Sequence, residues 1–280
     1  MKRALIAATA LAGGVAVPLA AQSYRTTVET RQVTGPLAVD LTFAVGALLV
    51  RPAAHDGSYR LSMTYAEDLF EPRVRFDAER GRLAVELDGD RVRLHGNDFD
   101  ASDQQLDLAL PRDVPLDLDL SFGAIEAEIE LGDLTLGRAS IRTGASETTV
   151  SFAAPGRGSC ERLSFQVGAA EFEALGLGNS GCRTVSLEGA VGEMHLDFSG
   201  TRRTGDTRLL IKVGLGTVRI SVPDDVGVRM NASRFLASVH QSGLVKQGSY
   251  LVSPGFDAAE AKLFIEVEAA LGRVEITRIR

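Results

Sequence analysis

The chain has 280 residues, 45% of them hydrophobic and 24% charged, with 29 glycines, no tryptophan and a formal charge of -7. That balance excludes a disordered polyelectrolyte and a polybasic nucleic-acid binder, and an aromatic content of only 6% points to a thin core of small aliphatic side chains. Length alone leaves one large domain or two modest ones open.

Residues 1–21 open with Lys2-Arg3, continue through the apolar run Ala4 to Val17 and end on Pro18-Leu19-Ala20-Ala21. This charged, apolar, small-residue order is that of a secretory signal, with cleavage expected after Ala21 although Leu19 is large for the −3 position. An uncleaved anchor is the alternative, and the run is barely long enough for it. Cleavage removes Lys2 and Arg3 and leaves a chain with a formal charge of −9, which disfavours nucleic acid or anionic lipid as partner. No later segment has the apolar length of a membrane span, so the protein is expected to be exported, periplasmic or at the cell surface of a bacterium.

Beyond the signal, segments such as Leu116 to Leu120, Ile125 to Ile129 and Val218 to Val222 alternate apolar and polar residues with period two, and no stretch carries helical apolar spacing over three turns. An all-β protein is expected. A short template of glycine followed by an alternating strand recurs at Gly46, Gly123, Gly144, Gly168, Gly192, Gly216 and Gly272. From Gly123 the copies are 21, 24, 24 and 24 residues apart; the gap before Gly123 leaves room for about three coils and the gap after Gly216 for two. This predicts a single-stranded right-handed β-helix, a β-solenoid with about 21–24 residues per coil, whose inner faces are buried only by stacking. The glycines are expected at bends where a Cβ would clash or a positive φ is required, so valine at Gly168 or Gly192 should cost more than at Gly181.

Counting from each glycine, offsets +2, +4 and +6 point inward and +1, +3 and +5 outward. The outward column at +3 holds Glu126, Glu147 and Glu171, a candidate for cation or ligand binding. An exposed charged face is the plainer reading. The two cysteines, Cys160 and Cys182, lie nearly one coil apart and are expected to form a disulfide between adjacent coils, with two buried free thiols as the alternative. Pro223-Asp224-Asp225 marks a turn, and the strands up to Ile276 should close the stack.

Two stretches carry a family resemblance. Pro36 to Asp88 holds Pro-Leu-Ala-Val-Asp-Leu-Thr-Phe-Ala-Val-Gly-Ala-Leu-Leu-Val, then Tyr65 in Leu-Ser-Met-Thr-Tyr, then Pro72-Arg-Val-Arg-Phe-Asp and Gly81-Arg-Leu-Ala-Val. It resembles the N-terminal portion of bacterial toast-rack envelope proteins. The tail, with Ile211-Lys-Val-Gly-Leu-Gly-Thr-Val-Arg-Ile and Leu263-Phe-Ile-Glu-Val-Glu-Ala-Ala-Leu-Gly-Arg-Val-Glu-Ile, is similar to the C-terminal β domain of LiaF-like cell-envelope-stress proteins and to adhesin domains. The resemblance implies an envelope-exposed β-helix with no established enzymatic activity, and its shared motifs transfer no functional residue. LiaF-like regulators carry transmembrane helices ahead of this domain, a departure that tells against direct membrane-bound signalling here. The expected organisation is a signal at 1–21, an N-terminal toast-rack-like β region at 33–118, and at 119–280 a solenoid continuing the same stack with LiaF-like closing strands.

Catalytic patterns are lacking. There is no Gly-x-Ser-x-Gly, and His55, His95, His195 and His240 are scattered without a nearby Ser or Cys partner. Gly200-Thr-Arg-Arg-Thr-Gly205 lacks the ending of a phosphate loop, and Asp98-Phe-Asp100-Ala-Ser-Asp103 lacks the glycine and final carboxylate of a calcium loop. The expectation is a non-enzymatic, cofactor-free, adhesin-like binding or scaffold module for another envelope component, protein or polysaccharide. The alternatives are a carbohydrate-active β-helix enzyme using the glutamate column and an envelope-stress regulator of LiaF type. Mass spectrometry of the exported protein should show loss of residues 1–21; an intact N-terminus would establish the anchor instead.

Overall fold

The computed structural model describes residues 23–88, 103–201 and 205–280, and only the backbone of Asp88 and of residues 233–237. The expected signal, His95, nearly all of the acidic stretch 98–103 and the centre of the turn at 200–205 lie outside these residues. The strands are β1 (Tyr24–Gln32), β2 (Leu37–Pro52), β3 (Ser58–Ala66), β4 (Glu71–Asp77), β5 (Arg82–Asp88), β6 (Gln105–Leu110), β7 (Leu116–Glu130) and β8 (Leu136–Thr143). They continue with β9 (Glu147–Ser151), β10 (Cys160–Leu175), β11 (Cys182–Asp197), β12 (Gly205–Pro223), β13 (Gly227–Gln241), β14 (Val245–Gln247), β15 (Tyr250–Val252) and β16 (Ala261–Ile279).

All sixteen belong to one hydrogen-bonded sheet. Its body is a stack of parallel rungs: β5 with β6, then β2, β7, β8 with β9, β10, β11, β12, β16 and β13. Each long strand is bent in its middle, and the bend resets its alternation. In β10 the buried positions are Leu163, Phe165 and Val167 before the bend, then Ala170, Phe172 and Ala174 after it. The two arms therefore turn their apolar faces toward each other, and the Phe165 and Phe172 rings meet 4.8 Å apart inside the angle. On the next rung Met194 fills the space a side chain at Gly189 would need, an added Cβ there lying 2.5 Å from the Met194 sulfur. This is the narrow interior that the aromatic-poor composition demands.

The bend glycines are explained by the rung below them. Gly216 has φ +150°, and a Cβ on it would lie 2.1 Å from the Gly192 carbonyl oxygen; Gly272, at φ +118°, would place one 1.9 Å from the Gly216 oxygen. A side chain here points along the stack into the backbone of the preceding rung.

The register departs from the glycine count. Glu126, Glu147, Glu171, Glu193 and Thr217 are successive ladder partners, giving steps of 21, 24, 22 and 24 residues. Gly192 therefore pairs with Ala170 and not with Gly168, because the 22-residue offset set at Cys160 and Cys182 holds along the whole of β10 and β11, on both sides of the bend. Among the described residues, the rungs formed in the two long gaps are also not stacked in chain order. β2 lies directly on β7, and the chain between them makes the β5 and β6 rung plus an antiparallel end in which β4 pairs β5 and β1-β3 extends β6. β16 lies directly on β12, while β13 stacks beyond β16 and is finished by the antiparallel strands β15 and β14. Order along the stack is thus not order along the chain.

Cys160 and Cys182 are ladder partners at the start of β10 and β11 and form a disulfide, both side chains being buried. No helix among the described residues is long and apolar enough to cross a membrane. Gly181, expected to tolerate valine, sits at φ +67° and is a poor permissive site; Gly35, with nothing within 4 Å of an added Cβ and no positive φ, is the better one. Gly216→Ala should lose more than about 2 kcal/mol of stability in urea melts, and Gly35→Ala should stay within about 0.5 kcal/mol. Replacing both cysteines by alanine should cost about 3 kcal/mol for a loop of this length.

Candidate functional site

The stack converts sequence period into surface columns, since every second residue of an arm faces out directly above its ladder partner. On the arm after the bend, the expected column of Glu126, Glu147 and Glu171 is continuous, with all three exposed, and it extends to Glu193. The neighbouring column runs Glu128, Thr149, Glu173, His195, Arg219 and Glu275. Its lower half is stitched by ion pairs: Arg219 lies 3.2 Å from Glu193 and 3.8 Å from Glu275, which Arg273 approaches to 3.1 Å. Among the described residues no three His, Cys, Asp or Glu side chains are grouped so as to hold a metal ion. Carboxylates on consecutive parallel rungs stand side by side and do not converge on a point.

His195 corrects the expectation of isolated histidines. Its Nε2 lies 3.1 Å from the Ser221 hydroxyl and its Nδ1 3.9 Å from Glu173 Oε1, a contact that the sequence hides because the three residues come from three different rungs. His195 is half-buried, whereas His55 and His240 are exposed. A base against a hydroxyl is one element of acyl transfer, but Ser221 is in the middle of a ladder, paired with both Asp197 and Thr277. The strand amides around it are committed to those partners and are not aimed at a developing oxyanion.

The arm before the bend carries a different surface. Arginine–aspartate pairs bridge neighbouring rungs: Arg82 to Asp40 at 2.7 Å, Arg138 to Asp117 at 2.5 Å, and Arg142 to Asp119. Ser164 accepts from Ser186 at 3.0 Å on the column between them. In the loops, Arg157 and Arg112 both engage Asp133, and the Arg157 hydrogen bond holds that carboxyl below the usual carboxylate range.

At the N-terminal end, Tyr59 is fully buried, packs edge-on to Phe76 with 5.2 Å between ring centroids, and donates to Glu29 Oε1 at 2.6 Å. Burial first, and then the hydrogen bond to Glu29, push the phenol well above its ordinary range. This bond ties the exposed edge strand β1 to the core.

Residues 19–171 match the N-terminal domain of toast-rack proteins, which is more than half of the chain. The chain belongs to the toast-rack family. Residues 180–276 of this toast-rack protein match the C-terminal domain of LiaF, described as a cell wall-active antibiotics response protein. Among solved structures, a candidate cell adhesion protein from Clostridium sporogenes is similar at 13% identity and a TM-score of 0.46, over 92% of this chain and 100% of that one. A candidate adhesin from Bacteroides fragilis is similar at 12% identity and a TM-score of 0.40, over 90% of this chain and 97% of that one. No curated protein matches. The two matched regions of the toast-rack chain meet near the end of β10, and the ladder crosses their boundary without interruption. Cys160 lies in the first region and Cys182 in the second, so the disulfide ties them together.

The Tyr59 proton is held more tightly in the folded chain than in the unfolded one. Its contribution to stability is therefore full below pH ~10 and is lost as pH rises beyond that value. Tyr59→Phe should flatten the fall in thermal midpoint above pH ~10, measured by circular dichroism across an alkaline series.

Proposed function

We propose that this toast-rack protein is a non-catalytic exported envelope module, a rigid single-stranded, right-handed β-solenoid that presents its outer columns to another envelope component, in the manner of an adhesin or scaffold. The observation that carries this reading is the in-register parallel stack. Most of the chain is spent on fixing side chains in straight columns about 4.8 Å apart, an arrangement suited to a repetitive or extended partner. Family membership and the buried disulfide support a place outside the cytoplasm. We assign residues 1–21 to the export signal, 33–118 to the toast-rack-like part and 119–280 to the continuing stack, with periplasm or cell surface as the destination.

The exposed Glu126, Glu147 and Glu171 column is the binding face we favour for a protein partner, with salt-screened charge as its contribution. A second reading, an envelope-stress regulator, is favoured by the LiaF-like match of residues 180–276. An enzyme acting on polysaccharide would need two carboxylates facing one substrate bond, whereas the column lines its carboxylates up on one face.

Photo-crosslinking in living cells from positions 147 and 171 should capture one discrete envelope protein, with capture lost at high salt. Polysaccharide turnover abolished by Glu147→Gln would overturn the non-catalytic reading. A stress reporter that changes on gene deletion would promote the regulatory one.

A further inference from the structure

An open groove of about 1040 Å³ runs along the stack on the arm before the bend. One side is the outward column Ser121, Arg142, Gln166, Glu188, Lys212 and Glu268, one residue from each of six consecutive rungs. At ~4.8 Å per rung the column is about 24 Å long. The bend contributes Gly144, Gly168, Ala190, Gly214 and Ala270, an unbroken row of the two smallest residues. Part of that row is forced: a Cβ on Gly168 would lie 2.7 Å from the Gly144 carbonyl oxygen and one on Gly214 2.9 Å from that of Ala190. The geometry that lets rungs stack at the bend therefore also leaves a channel whose row at the bend carries no side chain larger than a methyl group. Arg142 is engaged by Asp119 and Ser140, whereas the side chains of Gln166, Glu188, Lys212 and Glu268 are exposed and make no hydrogen bond or ion pair among the described residues.

We infer that this groove binds an extended, uncharged glycan strand lying along the stack axis, an inference that rests on the reading of the protein as a non-catalytic envelope binding module. Three features select that occupant. The column offers a side-chain donor or acceptor every ~4.8 Å, close to the rise of one sugar in an extended β-linked glycan, whereas an extended peptide advances ~3.3 Å per residue and falls out of step. The main-chain groups of the rungs are used by the ladder, so a peptide cannot be held by strand addition. The signs along the column alternate, Arg142 positive, Glu188 negative, Lys212 positive and Glu268 negative, which suits hydroxyl and acetamido groups and repels a polyanion at the two glutamates. With no ring exposed for stacking, hydrogen bonds supply the affinity, and it accumulates with strand length.

The test is calorimetric titration of the oxidised mature protein with cello- and chito-oligosaccharides of two to six sugars, with polygalacturonate and an unstructured peptide alongside. Affinity for the neutral oligomers should rise with each sugar and level off at about five, the number of steps in the groove. Glu188→Ala and Lys212→Ala should each weaken binding roughly 2- to 10-fold. Ala190→Phe and Ala270→Phe, which set a ring in the groove at exposed positions, should abolish it with the thermal midpoint unchanged, and Glu147→Gln on the other arm should have no effect. No binding by any oligomer, affinity independent of length, indifference to both phenylalanine variants, or preference for the polyanion or the peptide would overturn the inference. Loss of glycan binding with partner crosslinking at positions 147 and 171 intact would remove the groove and leave the module reading standing; cleavage of the oligomers would remove the module reading itself.

Discussion

Everything in this protein depends on backbone ladders that remain in register through a bend. A parallel sheet tolerates a corner only if every rung turns at the same place, because the hydrogen bonds on both sides of the corner belong to the same pair of strands. At Gly216 and Gly272 the turn is made with positive φ and with a neighbouring carbonyl where a side chain would begin. Glycine is therefore dictated by the rung beneath as much as by its own backbone. The inward angle is then filled from both arms, as Phe165 and Phe172 fill it in β10 and Met194 fills it opposite Gly189.

A stack built this way has two ends, and each is finished by reversing strand direction. β1, β3 and β4 run antiparallel at one end, β15 and β14 at the other. The closing device at the C-terminal end is the insertion of β16 between β12 and β13. Among the described residues β13 has no parallel partner but β16, so this end of the stack forms only once β16 is in place. Arg278 locks that closure: it is nearly buried, and its guanidinium donates to the carbonyl oxygens of Asp224 and Val226 at 2.8 and 2.7 Å. The disulfide performs a comparable task in the middle, joining the toast-rack and LiaF-like regions at the rung where they meet.

Function follows from what such a stack does to outward residues. A column repeats one chemical position at the rung spacing. The two arms carry different columns, carboxylates with a few arginines on one and arginine–aspartate pairs beside a small-residue groove on the other. On both surfaces the described charged groups are strung from rung to rung along the stack. The contact of Ser221, His195 and Glu173 joins three of these rungs and lies within a fully paired ladder.

The all-β character, the inward and outward parity of each arm after the bend, the continuity of Glu126, Glu147 and Glu171 and the pairing of Cys160 with Cys182 were all legible in the sequence. Period two and one-coil spacing are local quantities, and a one-residue error in either would have put charges inside. Register across the bend of β10, the direct contact of β2 with β7 and the insertion of β16 were not legible. Nothing in an isolated strand records which of several similar edges it will pair with, and short apolar templates fit more than one. The same holds for the groove and for the His195–Ser221 contact, whose members are distant in the chain. Local alternation determined that this protein is a stack of bent strands; only the three-dimensional competition of edges for partners decided the order of the rungs and hence which side chains stand together on its surface.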